Sequence, residues 1–140
     1  MATVDSNKLV ARRYLEQFWN GNDPAVIAEI TVADVIGHPT PGETLQGRDI
    51  LVQRHAGLRR IYGDPHFVVE DLIAEGEKVL LRWFFTGKHI GPFMGAEPTG
   101  KQISVGGMNL FQLVDGKIVE FWVNADDLGE LQQLGALPGA

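Results

Sequence analysis

Past residue 65 the chain is written in four consecutive runs, Phe67 to Ala74, Lys78 to Ile90, Lys101 to Val114 and Lys117 to Ala125, all rich in Val, Ile, Phe and Trp. Only turn-forming segments separate them: Glu75-Gly76-Glu77, a Gly/Pro loop from Gly91 to Gly100, and Asp115-Gly116. Asp-Gly between two apolar runs is a hairpin signal, and the four runs read as sequential strands. Before residue 65 the pattern is helical. Val10, Tyr14 and Phe18 recur at the four-residue step of one helix face, with Asp5 or Ser6 as cap and Gly21-Asn22 as stop. Asp23-Pro24 opens a short second helix through Ile30, Val32 to His38 reads as a short strand, and Arg48 to Tyr62 fits a third helix. A last helix over Asp127 to Leu134 stops at Gly135. Helices first and consecutive strands afterwards define an α+β fold with an antiparallel sheet. Helices closing one face of a curved sheet enclose a blind pocket suited to a small apolar ligand.

At 140 residues the chain reads as a single domain over 1–140, with an ordered core over 5–135 and a frayed tail over 136–140. Its formal net charge of −6 disfavours nucleic acid and anionic membranes as partners. The absence of Cys excludes a disulfide scaffold, a thiolate metal site and a Cys nucleophile, and points to the cytoplasm. No stretch approaches the roughly 20 apolar residues of a membrane helix. No His pair has metal-ligand spacing, and no Gly-rich nucleotide loop occurs, so neither a metal nor a cofactor is expected.

The run Gly116-Lys-Ile-Val-Glu-Phe-Trp-Val-Asn-Ala-Asp-Asp-Leu-Gly-Glu-Leu-Gln-Gln-Leu-Gly135 closely resembles the C-terminal signature of SnoaL-like polyketide cyclases. Other segments agree in order: Asp34-Val-Ile-Gly-His38-Pro39, Gly47-Arg48-Asp49, Arg82-Trp83 with Gly87-Lys-His89-Ile-Gly91, and Pro98-Thr-Gly-Lys101. The resemblance covers nearly the whole chain. It implies the cone-shaped α+β barrel shared with ketosteroid isomerases and limonene epoxide hydrolases, and a cofactor-free intramolecular aldol step in which one Asp acts as acid and base. The matching position is Asp126. Family members often carry His where this chain has Phe121. The resemblance also implies a homodimer, or a tetramer, and a hydrophobic carbonyl compound as substrate.

Trp122, Asn124 and Asp126 alternate along the last strand and are expected to share the pocket face. Asp126 would then be an acid whose proton is held by desolvation, while Asp127 caps the last helix. His38, at a strand end before a Pro turn, is a candidate base or proton relay. Arg82 lies in Val79-Leu-Leu-Arg-Trp-Phe-Phe85; if even positions face inward, Leu80, Arg82, Phe84 and Thr86 line the pocket, with Arg82 paired to Asp126 or to a bound enolate. His89 is a candidate ligand to a carbonyl, and Asn109 and Asn124 are candidates to hold an oxyanion. Tyr14, Phe18, Trp83 and Trp122 serve as core or pocket wall, and His55 and His66 look peripheral. Val69, Trp83, Phe85 and Phe121 would lie on the outer sheet face and need cover from a second copy.

Two enzymatic alternatives and one non-catalytic one stand beside the cyclase. The Asp-Arg-Asp relay of limonene-type hydrolases is broken here by Phe84 and Asn124, with Ile36 near the place of its Tyr. A ketosteroid-isomerase reaction would use His38 as base but lacks an evident Tyr-Asp pair. A small-molecule-binding protein of the same fold would use the pocket alone.

Overall fold

The computed structural model describes residues 2–137, so the end of the expected tail, residues 138–140, lies outside the described residues. In chain order the elements are α1 (Val4–Arg13) with a π-helical continuation (Tyr14–Trp19), a 3₁₀ turn (Pro24–Val26), α2 (Ile27–Ile30), β1 (Thr31–His38), β2 (Leu45–Gln46), α3 (Arg48–Ile61), β3 (Tyr62–Glu75), β4 (Lys78–His89), β5 (Gln102–Val114), β6 (Lys117–Ala125) and α4 (Asp127–Leu134). The strands form one curved sheet in the order β2-β1-β6-β5-β4-β3, antiparallel except where β1 runs parallel to β6. The α+β architecture is as the sequence predicts.

Local chemistry explains the boundaries. Thr3, not Asp5 or Ser6, caps α1: its Oγ1 accepts from the Ser6 N–H at 3.0 Å, and the Ser6 hydroxyl accepts from the Thr3 N–H at 2.8 Å. The π-helical turn adds a residue to the helix repeat and so buries Tyr14, Leu15 and Phe18 together against the sheet. Asp23 caps the next turn through the Ala25 N–H at 3.0 Å. Gly135 ends α4 with φ of 69°, where an L side chain is strained. β3 begins earlier than its sequence suggests, because Tyr62 and Gly63 pair with His89 and Lys88. His55 is not peripheral. It is buried on α3, its Nε2–H donating to the Gly21 carbonyl over 2.9 Å and its ring lying against Phe18.

The inner face of the sheet is the core. Along β4 the buried residues are Val79, Leu81, Trp83 and Phe85, the odd positions, while Arg82 and Phe84 point outward and are exposed. The expected phase of this strand is therefore reversed. Period-two alternation assigns a face only when one set is polar, and here both sets hold large apolar residues. β6 is reversed in the same way: Phe121 is buried inside, and Trp122 and Asn124 lie on the outer side. Val69, Trp83, Phe85 and Phe121 thus belong to the interior, not the outer face.

Close approach at a glycine holds this phase between β1 and β6. Gly37 pairs with Phe121, and a Cβ at position 37 would overlap the Phe121 ring. Gly37→Ala is expected to destabilise the fold by about 1–3 kcal/mol through overpacking, read as a lower denaturant midpoint with unchanged slope. An unchanged midpoint would show that the ring is free to move.

Candidate active site

β6 ends at Ala125, opposite Gly107, and leaves the first half of β5 without a neighbour on that side. α4 takes that place. The Asp126 N–H donates to the Gly106 carbonyl at 2.9 Å, and the Gln133 side chain bonds both backbone groups of Ser104, at 2.9 and 2.7 Å. Docked there, α4 turns Asp127, Glu130 and Leu131 toward a cavity of about 630 Å³ between the helices and the inner sheet face. Its wall is mostly apolar, with the aromatic Tyr14, Phe67, Trp83, Phe85 and Phe121 among the contributors. Asp127 and Glu130, three residues apart, share one face of the helix.

Asp126 stands at the N-cap of α4 rather than in the cavity. Its carboxylate accepts the Gly129 N–H at 2.9 Å. Gly129 leaves room for that contact, since a Cβ there would meet the carboxylate. The two neighbouring acids have thus exchanged the positions expected of them: Asp126 caps and Asp127 looks inward. The cause is the reversed phase of β6, which carries every residue through the strand end to the opposite side.

Asp127 is exposed at the rim of the cavity, where partial desolvation, reinforced by the adjacent Asp126, raises its carboxyl above the ordinary range. Glu130 lies deeper and is half-buried. Its pKa is raised chiefly by desolvation and also by Asp127, against the opposing effects of the Tyr62 hydrogen bond and of His89. The Tyr62 hydroxyl donates to Glu130 Oε2 at 2.5 Å, and burial with that acceptor drives the phenol pKa upward, so it remains a donor. No side-chain hydrogen bond engages Asp127 among the described residues. Across the cavity Arg54 of α3 pairs with Glu43 of the 39–44 loop at 3.6 Å. Tyr14 also lines the cavity, and burial keeps its hydroxyl protonated.

The other expected site residues divide sharply. Asn109 is buried on the inner face of β5 and lines the cavity, as does Tyr14. Phe18 is fully buried beneath Tyr14 as core rather than wall. Arg82 is outside, its Nη2 2.6 Å and its Nε 2.7 Å from Asp71 Oδ2, so no Asp-Arg-Asp relay reaches the cavity. Phe84 is beside it on the outer face. His38 stacks on Trp122 (ring centroids 5.4 Å, 14°) and bonds Glu120 at 2.7 Å; His38, Trp122 and Asn124 edge a second, adjoining cleft of about 220 Å³. His89 is wholly buried and anchors the 91–100 loop: its Nδ1 accepts from the Thr99 N–H at 3.1 Å and lies 3.0 Å from the Thr99 hydroxyl. Sequence reasoning missed Glu130, Tyr62 and Arg54. The Asp127/Glu130 spacing on a helix was the one available signal. Among the described residues no three His, Asp or Glu side chains converge to hold a metal. No helix among them is long and apolar enough to cross a membrane.

The model of the SnoaL-like polyketide cyclase family matches residues 9–134, and the chain belongs to that family. Among solved structures, AclR from Streptomyces galilaeus, assigned as a hydroxylase, is 28% identical with a TM-score of 0.85, covering 99% of this chain and 86% of its own. IdmH from Streptomyces antibioticus, assigned as a polyketide cyclase, is 26% identical with a TM-score of 0.81, over 92% and 98% of the two chains. A SnoaL-like protein from Jannaschia sp. CCS1 shares the fold at a TM-score of 0.88 and 23% identity, over 99% and 98%. No curated protein matches the chain significantly. One fold carries both hydroxylase and cyclase assignments, so the reaction has to be read from the site.

The raised carboxyls give the fold a pH signature. Asp127 and Glu130 keep their protons in the folded chain at pH values where the unfolded chain has released them. Their contribution to stability is complete below the unfolded carboxylate pKa and is lost as pH rises through the raised folded values. Asp127→Asn combined with Glu130→Gln is expected to flatten the fall in Tm above the ordinary carboxylate range. An unaltered Tm–pH slope would show that neither group is desolvated.

Proposed function

We propose that this protein is a cofactor-independent, aldol-type cyclase acting on a hydrophobic polycarbonyl compound, with Asp127 as its general acid/base. The observation that carries the reading is a carboxyl with raised proton affinity, free of side-chain hydrogen bonds, at the rim of an aromatic cavity beside the Tyr62–Glu130 pair. The ionised Asp127 removes a proton from a carbon flanked by two carbonyls. The enolate carbon attacks a ketone carbon of the same molecule, forming the ring C–C bond as the C=O π pair moves onto oxygen. Asp127 returns the proton to that alkoxide and is regenerated. Only a proton moves between enzyme and substrate, and no electron carrier is consumed. A raised pKa suits both halves of this cycle, making the carboxylate a stronger base and favouring its acid form. The aromatic wall folds the substrate so that carbon and carbonyl meet, a proximity effect that reaches several kcal/mol in well-oriented systems, about 7 or more at best.

The test exploits two neighbours with different duties. On a panel of ketoesters, enones and epoxides, Asp127→Asn is expected to lower kcat by about 10²–10⁴ while ligand binding survives. Asp126→Asn is expected to retain turnover and lose at most about 1 kcal/mol of capping stability. Equal turnover in the two variants would overturn Asp127 as the acid/base. Ligand binding without turnover of any substrate by the unaltered protein would favour the non-catalytic reading.

We also propose that the protein works as a homodimer joined through the outer face of β3, β4 and β5. Val68, Phe84 and Met108 are exposed large apolar residues on these strands. Arg82 and Asp71 neutralise each other within the chain, which lowers the charge that a two-fold axis through this patch would bring together. Phe84→Glu is expected to convert a dimer mass into a monomer mass in sedimentation at micromolar concentration. A monomeric unaltered protein would end this proposal.

A further inference from the structure

We propose that Trp83 and Asn109 form a one-way carbonyl receptor on the sheet wall of the cavity. The indole holds the Asn109 oxygen, so the amide presents only N–H donors to the ligand and selects a ketone or enolate oxygen. This deepens the cyclase reading and rests on it only for which oxygen is held.

The geometry begins with a glycine. The β4–β5 register sets Trp83 opposite Gly107 and Leu81 opposite Asn109. A Cβ at position 107 would overlap the six-membered ring of the Trp83 indole. Without that carbon the indole lies across β5 and reaches the diagonal neighbour, two residues along. Its Nε1 donates to Asn109 Oδ1 at 2.9 Å. Phe67 packs edge-on against the indole (5.3 Å, 79°) and limits its swing.

That bond decides which way the amide faces. An indole nitrogen only donates, so the atom it meets must be the Asn oxygen; the flipped amide would set N–H against N–H. The side-chain nitrogen of Asn109 is left with no hydrogen bond among the described residues. It is also not sealed in protein. The fully buried, unpartnered side-chain polar atoms among the described residues are Asn7 Oδ1, Arg48 Nε and His89 Nε2, and Asn109 Nδ2 is not one of them. Asn109 lines the cavity while only 6% exposed, so its free N–H groups open onto the cavity. A structural Asn satisfies both ends of its amide locally. Here one end is held and the other is offered, at the desolvation cost of an unpaired donor until a ligand acceptor arrives. Asn109 therefore touches the ligand, and Trp83, acting through it, is a positioning residue.

The experiment reads binding alone, so its outcome is independent of the turnover test on Asp127. The probe is 6-propionyl-2-(dimethylamino)naphthalene, whose emission moves to the red when its carbonyl accepts a hydrogen bond, set against the same naphthalene carrying a propyl group in place of the ketone. The unaltered protein is expected to bind the ketone with red-shifted emission and to prefer it over the propyl analogue. Asn109→Asp keeps an acceptor for the indole but replaces the donor with an oxygen. It is expected to weaken ketone binding about tenfold or more, with the propyl analogue little affected. Trp83→Phe frees the amide to rotate and is expected to lose part of the red shift and of the preference. Gly107→Ala, which displaces the indole, is expected to do the same. A measurement without substitution guards against variants that fold poorly: the Asn109 side-chain ¹⁵N–¹H signals should move on adding the ketone and stay still on adding the propyl analogue. Absence of saturable ketone binding by the unaltered protein overturns the proposal, as does full ketone preference in Asn109→Asp. Trp83→Phe with the preference and red shift intact would remove Trp83 from the receptor.

Discussion

The sheet-borne groups of the cavity owe their place to the inward phase of β4, β5 and β6, and two ring-on-glycine contacts hold that phase. Trp83 lies over Gly107 on the strand beside it, and Phe121 lies over Gly37. A slip of one residue would turn an entire strand face to the other side, and at Gly37, flanked by Ile36 and His38, it would also set a side chain where only a hydrogen fits. With this phase set, Arg82 and Asp71 are left on the outside to pair with each other, while Trp83, Phe85, Asn109 and Phe121 face the helices.

The division of labour in the cavity follows from where β6 stops. Its inward residues Phe121, Val123 and Ala125 are all apolar, so the sheet beside the pocket supplies no acid. The acid comes instead from α4, which exists in that position because β5 runs on past the end of its neighbour and needs hydrogen-bonding partners. One carboxylate, Asp126, is spent on starting the helix, and its bond to the Gly129 N–H fixes the direction in which the first turn points. The next residue is thereby delivered to the rim of an apolar cavity, where desolvation and the charge of its neighbour both favour the protonated form. Capping and acid function are thus mechanically coupled through adjacent residues.

The family likeness bears on the frame more than on the chemistry. Solved relatives of 26–28% identity keep the fold over most of the chain, yet their assigned reactions differ. The chemistry of the cavity lies in particular side chains: Tyr62 bonded to Glu130, Arg54 set against Glu43, and an indole seated on Gly107. The first and the last join residues far apart in sequence that the curved sheet brings to one place.

The α+β order, the four long strands, the cap at Asp23, the stop at Gly135 and the family itself were all legible in the sequence, because turn chemistry and apolar runs act locally. So was Tyr14 as core or cavity wall, from its helical step with Val10 and Phe18, whereas the inward place of Asn109 was decided by the register of β5. Which face each central strand turns inward was not legible. β4 carries Leu80 and Phe84 on one side and Leu81, Trp83 and Phe85 on the other, and alternation cannot choose between two apolar faces. The choice fell to pairing across strands, where Gly107 and Gly37 admit bulky rings on one side only. That decision propagated through β6 into α4, moved Arg82, Phe84, Trp122 and Asn124 outward, and gave Asp127 the place that spacing alone assigned to Asp126. Local sequence determined the elements; packing between strands distant in sequence decided which of two neighbouring carboxylates meets the ligand.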